Sequence, residues 1–328
     1  MIEARRNGNH ESCHAGAPMK KARFLVLRGG AIGDFIVTLP VLAALRERWP
    51  DAYIEVIGYP HIASLALAGG LADQVESLDR AEIARFFSAR PAFTPAQSER
   101  IRSFDLALSY LHDSHDVVRN NLLLAGAKQV LCGSPLIKEG PASRALLKPL
   151  ESLAIYPDRD IPSLTLRPEL VEKGRLWLNE KGLRPPILAI HPGSGSLRKN
   201  WPLDRFLDVA RRAAADGRSV FFIAGEADEA LRVRLSALNP PVCLLTNATL
   251  VDVAGALSNC ESFAGNDSGI THLAAALNLP VVALFGPSDA SIWGPRGHRC
   301  CVIQAPEGNL NLLEPDSVWA ALLKLRQT

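Results

Sequence analysis

Three short stretches of the chain concentrate residue types that can hold an anion or assist a reaction. The first is Arg28-Gly29-Gly30-Ala31-Ile32-Gly33-Asp34. Its glycines let backbone pass close to a ligand, and Asp34 at a helix start would sit at the mouth of a cleft, with Gly30 and Gly33 on the same rim. Asp34 could equally just cap its helix, a place aspartate favours. The spacing is not G-x-G-x-x-G and no acidic residue ends the following strand near Gly58, so a dinucleotide fingerprint is the weaker reading.

The second stretch, His191-Pro192-Gly193-Ser194-Gly195-Ser196-Leu197-Arg198-Lys199-Asn200-Trp201-Pro202, combines small residues, hydroxyls and two adjacent cations ahead of a helix. Ser194, Gly195 and Ser196 suit a cradle for phosphate oxygens, with Lys199 as a point charge. It is not a Walker loop, which needs G-K-[ST]. The plainer alternative is a helix-entry turn at Asn200-Trp201-Pro202 with Trp201 packed inward. In the third, Gly265-Asn266-Asp267-Ser268-Gly269-Ile270-Thr271-His272, free amides from Ser268 to Ile270 would point out of a helix start, where the macrodipole favours an anion such as a diphosphate. His272 could donate to the same oxygens or be a satisfied helix histidine. Phe285-Gly286-Pro287-Ser288 could close the other side.

Glu226, Asp228 and Glu229 could accept from sugar hydroxyls, or could simply stabilise a helix start. His112-x-x-His115 with Asp113 and Asp116 lacks a third ligand at useful spacing and reads as a surface loop. Asp158-Arg159-Asp160 lies in a proline-rich stretch unsuited to a metal-diphosphate site, so no metal ligand is expected.

The elements that must carry these loops alternate in type. A strand at Phe24–Leu27, an apolar-periodic segment from Phe35 to Trp49 and a strand at Tyr53–Ile57 open the chain. Strands at Leu106–Tyr110 and Gln129–Cys132 follow, with a helix near Val117–Ala125 between them. After Pro157, Pro162 and Pro168, whose composition suits a linker, the rhythm restarts at Ile187–Ile190. It continues with strands at Ser219–Ala224, Val242–Leu245, Ser262–Ala264 and Val281–Phe285. Between them lie helices at Leu203–Ala215, Ala230–Leu238, Val251–Leu257 and Ile270–Leu277, and a last helix covers Val318–Leu325. The expected organisation is a disordered extension at 1–18, with Met19 a candidate initiator, and then two Rossmann-like α/β domains, 19–165 and 166–328, facing a cleft. Ligands in such sheets bind beyond the carboxyl ends of the strands, where the three loops fall.

With 328 residues, 48% hydrophobic and 21% charged, the chain has the composition of an ordinary two-domain globular protein. A formal net charge of +2 leaves no basic footprint for nucleic acid. Six cysteines without C-x-x-C spacing, and no secretory stretch near the start, point to a reduced cytoplasmic setting. No run is long enough to span a bilayer, so any membrane contact is expected to be peripheral. Five arginines between Arg80 and Arg102, beside Phe86, Phe87 and Phe93, could touch an anionic lipid surface or form a solvated face.

Taken together, RGGAIGDFIVTLPVLAALRERWP, HPGSGSLRKNWP and AGNDSGITHLAAALNLPVVALFGPSD resemble family 9 glycosyltransferases of the ADP-heptose:lipopolysaccharide heptosyltransferase type, from about Arg23 to Trp293. The resemblance implies a GT-B fold with the acceptor in the N-terminal domain and the nucleotide-sugar in the C-terminal one. It implies inverting, metal-independent transfer of heptose or a related sugar from an ADP-linked donor to a lipopolysaccharide-core or similar glycan, with no cofactor, at the cytoplasmic face of the inner membrane. By position, Asp34 matches the general base and Lys199 the lysine that steadies the diphosphate, with Ser194 and Ser196 near it. Asp267, Ser268, Gly269 and His272 match the nucleotide-binding helix start, and Glu229 the ribose-binding glutamate, with Glu226 as the alternative register. The segments 85–105 and Tyr110–Asp116 depart from the pattern. Competing readings are a nucleotide-sugar epimerase, a non-catalytic nucleotide-sugar binder and, more distantly, a NAD-dependent enzyme.

Overall fold

The computed structural model describes residues 21–326, so the expected extension at 1–18 lies outside the described residues. The chain builds two parallel sheets. The first contains β1 (Arg23–Leu27), β2 (Tyr53–Gly58), β3 (Gln74–Ser77), β4 (Leu106–Ser109) and β5 (Val130–Cys132), in the order β3-β2-β1-β4-β5. The second contains β6 (Ile187–His191), β7 (Ser219–Ile223), β8 (Cys243–Leu245), β9 (Ser262–Asn266), β10 (Val281–Phe285) and β11 (Cys300–Gln304), in the order β11-β10-β9-β6-β7-β8. Central strands such as ILAIH and VVALF are buried along their whole length because helices cover both faces. These are the two Rossmann-like sheets that the alternating pattern implies.

Each sheet winds outward from its first strand and then restarts on the other side. The strand order therefore reverses between β1 and β4, and again between β6 and β9. Such reversals open crevices at the carboxyl ends of the strands. β1 leads into Arg28 and the Asp34 loop, β6 ends at His191, and β9 leads into Asp267 and Ser268.

Several elements differ from expectation. The segment from Phe35 to Trp49 is two helices, Ile32–Ile36 and Leu39–Arg48, rather than one. Pro40 has no amide to continue the first helix, so a second must begin around it. β3, reading QVES, is a short edge strand with one apolar residue, and β11, reading CCVIQ, is an edge strand whose residues stay partly exposed despite their apolar run. The linker gives way at Pro168 to a helix, Pro168–Glu180, with proline in its first turn where no amide partner is needed.

One apolar cluster runs from Val26, Ile54 and Leu108 of the first sheet to Ala189, Phe263 and Ala283 of the second. The helices Pro60–Ala68 and Leu250–Leu257 pack against each other within it. Pro168–Glu180 crosses Leu250–Leu257 where two glycines meet: a Cβ on Gly174 would stand 2.1 Å from the Gly255 carbonyl oxygen. Gly174→Ala is therefore expected to lower stability by about 1–3 kcal/mol in chemical denaturation, the range for overpacking. Leu176→Ala, on the same helix but 49% exposed, should be near neutral.

Candidate active site

On the first sheet, Arg28 follows β1 and is buried. Its Nε and Nη2 donate to the Asp34 carbonyl at 3.1 and 2.8 Å, and its Nη1 donates to the Tyr110 carbonyl beyond β4 at 3.3 Å. Arg28 thus ties the two sides of the first crevice together and stays charged despite burial, with the Asp34 carboxylate 3.5 Å away. Asp34 turns back on its own loop, where Oδ2 accepts from the Ala31 amide at 2.8 Å. Gly30 makes this possible: its φ is +95°, and a Cβ there would sit 2.7 Å from Asp34 Oδ2. The capping role is real, yet the side chain remains 31% exposed.

On the second sheet a chain of buried polar groups joins the three strand ends. Asn266 accepts from the Trp201 amide at 3.0 Å and donates to the Pro192 carbonyl at 2.8 Å, fixing both ends of the His191–Pro202 loop. His191 Nδ1 lies 3.0 Å from Ser268 Oγ, and its Nε2 lies 3.3 Å from Asp228 Oδ2. Asp228 also accepts from the Gly225 amide at 2.9 Å. Burial opposes the charge on Asp228, but the hydrogen bonds from His191 and the Gly225 amide hold its carboxyl below the usual range. Ser268 caps the helix Gly269–Ala276 by accepting from the Thr271 amide, and its carbonyl accepts from His272. The amides ahead of these, Gly269 and Ile270, are the free donors of that helix start.

Lys199 Nζ donates to Asp267 Oδ2 at 2.7 Å, which draws the cation to the same helix start while leaving it 36% exposed. Ser194 folds inward instead: its hydroxyl bonds Asn200 Oδ1 and the Ser196 carbonyl. Gly195 and Ser196 are exposed at the loop tip. Trp201 is buried against Phe206, as the helix-entry reading implies.

The two sheets meet at these loops. A Cβ on Gly269 would lie 2.4 Å from Ile32 Cβ and 3.0 Å from the Gly33 amide, and one on Gly33 would lie 3.4 Å from the His272 ring. Asp34, Lys199, Asp267, Ser268 and His272 therefore border one space, and both Asp34 and Lys199 act electrostatically on His272. Glu229, by contrast, is exposed at its helix start beside Arg232. Asp228, one residue earlier, turns inward to His191.

Sequence reasoning quoted Arg28, His191 and Asn266 within their loops but gave them no role. The available signal was their type: polar residues ending apolar strands at the sheet reversals must find buried partners. His112 is exposed, and Ser114 binds its neighbour His115, in keeping with a surface loop. Asp160 is held by Arg144 and Arg296. No cluster of potential metal ligands occurs among the described residues.

Two Rossmann-like parallel sheets meeting across their switch-point loops define the GT-B fold. Residues 158–318 match Glycosyltransferase family 9 (heptosyltransferase), and the chain is a family 9 glycosyltransferase, heptosyltransferase-like. It is 21% identical to lipopolysaccharide heptosyltransferase 3 of Escherichia coli K12 over 291 residues, which cover 80% of this chain and 82% of that protein. A family 9 glycosyl transferase from Veillonella parvula superposes with a TM-score of 0.77 at 21% identity, covering 93% of this chain and 97% of the other. The E. coli ADP-heptose lps heptosyltransferase II superposes with a TM-score of 0.74 at 21% identity, covering 93% and 98%.

Burial lowers the pKa of His272, outweighing the Asp267 carboxylate and a backbone bond with Trp293 that favour its charged form. The unfolded chain therefore binds a proton that the folded one resists, and the linked loss of stability begins as pH falls below about 6.5. Urea titrations between pH 7.5 and 5 should show wild-type stability declining across that window. His272→Gln should flatten the decline.

Proposed function

We propose that this glycosyltransferase moves a heptose or related sugar from an ADP-linked donor to a lipopolysaccharide-core or similar glycan acceptor, with inversion and without a metal. The ADP-heptose named for the solved E. coli enzyme, and the lipopolysaccharide named for the curated relative, support this choice of donor and acceptor. The carrying observation is the contact of the Gly33 loop with the helix start at Gly269, which brings the Asp34 carboxylate and the amine of Lys199 to one space. In this reading the nucleotide lies over the second sheet, with its diphosphate on the Gly269 and Ile270 amides beside Lys199, Ser194, Gly195 and Ser196. Asp267 and His272 line the same start, and Glu229, or Glu226 in the alternative register, takes the ribose. The acceptor enters over Gly30 and Gly33.

Asp34 removes the acceptor hydroxyl proton as that oxygen bonds to the anomeric carbon from the face opposite the diphosphate. The bond from that carbon to the phosphate oxygen breaks, and its electron pair leaves with the diphosphate. Lys199 and the helix amides take up the growing negative charge, so the chemistry is carried by electrostatics rather than by a covalent intermediate. No helix among the described residues is long and apolar enough to cross a membrane. Arg80 and Arg100 of the arginine-rich segment are engaged with Glu55, Glu76 and Glu82, whereas Arg90 and Arg85, the latter also donating to Gln97 and the Ala92 carbonyl, line an open groove. Peripheral contact with the inner membrane's cytoplasmic face is assigned to that groove.

Calorimetry with ADP, UDP, GDP and CDP should show ADP binding tightest, and a preference for another nucleotide would overturn the donor assignment. Asp34→Ala is expected to lower transfer by about 10²–10⁴-fold with ADP binding nearly intact. Lys199→Ala should weaken both, with kcat falling by roughly 10²–10³-fold. Turnover of the nucleotide-sugar without any acceptor would favour an epimerase instead.

A further inference from the structure

His191 is buried at the reversal point of the second sheet, lies directly behind the helix start, and has no part in the mechanism above. Its two ring nitrogens face chemically different partners. Asp228 is an ionised carboxylate that can only accept, so Nε2 carries a proton and donates to it. Nδ1 of the neutral ring is then bare and accepts from the Ser268 hydroxyl. Ser268 Oγ in turn accepts from the Thr271 amide.

The same partners satisfy the charged ring. With Nδ1 protonated, the imidazolium donates to Ser268 Oγ, and the serine hydroxyl swings to Thr271 Oγ1 at 3.1 Å. Thr271 can receive it because its own hydroxyl donates to the Asn266 carbonyl at 2.5 Å. Both protonation states are hydrogen-bonded by the same partners, and the only rearrangement between them is a hydroxyl rotation.

The charges nearby supply a reason to move. Around the site two cations are paired, Arg28 with Asp34 and Lys199 with Asp267, while the third carboxylate, Asp228, has among the described residues only His191 as a side-chain partner, and burial keeps His272 neutral. A diphosphate on the Gly269 amides adds further negative charge, and breaking the glycosidic bond adds more still. From these contacts we propose that His191, oriented by Asp228, takes up a proton when a diphosphate occupies the Ser268 helix start, and so supplies a second cation behind the leaving group. His191 is then a positioning residue that acts through Ser268 and does not touch the substrate. The inference rests on the donor-site reading above and deepens it.

The test is calorimetry of ADP binding to the full chain at pH 7 in buffers of different ionisation enthalpy, which counts protons exchanged per ADP. ADP's own ionisation contributes equally to wild type and variants, so the difference between them is the readout. Asp228→Asn keeps the shape and the hydrogen bond but removes the charge. His191→Gln keeps a donor toward Asp228 but cannot ionise. Wild type should take up on the order of half a proton more per ADP than either variant. If one variant does not fold, the other gives the comparison. Equal proton counts in wild type and variant, with ADP bound in both, would overturn the role of His191 alone. Failure of wild type to bind ADP would overturn the donor site together with it.

Discussion

The site depends on two helix starts that come within backbone distance of each other, Ile32–Ile36 from one sheet and Gly269–Ala276 from the other. A β-carbon on Gly269 would overlap Ile32 and crowd the Gly33 amide, so the approach exists only because glycine stands there. The two starts are not equivalent. The first is already answered by its own Asp34 carboxylate, which accepts from Ala31. The second is capped only from within by Ser268, which leaves its leading amides free for a foreign anion.

Behind that contact each sheet is braced by a buried polar residue at its reversal point. Arg28 spans the crevice between β1 and β4 by binding the Asp34 and Tyr110 carbonyls. Asn266 and His191 span the one between β6 and β9. Groups so buried must be fully bonded, because an orphaned donor or acceptor costs about 1–3 kcal/mol. This requirement fixes the loops more tightly than their glycine content suggests. Asp34 and Lys199 are thereby carried on a helix start and a loop that are braced against the strand ends rather than left free.

The electrostatics follow from the same packing. Asp267 draws Lys199 to the helix start, but it also offsets part of the charge that a diphosphate would meet. The buried carboxylate of Asp228 stands behind His191, not beside the ligand. The resting site is poor in net positive charge, and the proposed response of His191 is one way this fold could correct that when an anion arrives.

By itself the sequence determined the two parallel α/β halves, the three loops and the family. Those features are local: buried central strands appear as short apolar runs, and glycine-rich turns with a following cap are written in consecutive residues. Edge strand β3 was not legible because QVES lacks an apolar run, and β11 was not read because its short apolar run, CCVI, stands between polar segments at a half-exposed edge. The break at Pro40 was legible in principle but was hidden by the apolar period on either side of it. Glu226, Asp228 and Glu229 after β7 read alike in the sequence, as acceptors for sugar hydroxyls or as helix-start carboxylates. Only the tertiary structure shows that Asp228 turns inward, because its partner is His191, thirty-seven positions away in the chain. The meeting of Gly33 with Gly269 was likewise beyond the sequence, since it is set by how two sheets pack through a shared core and not by any neighbouring residue.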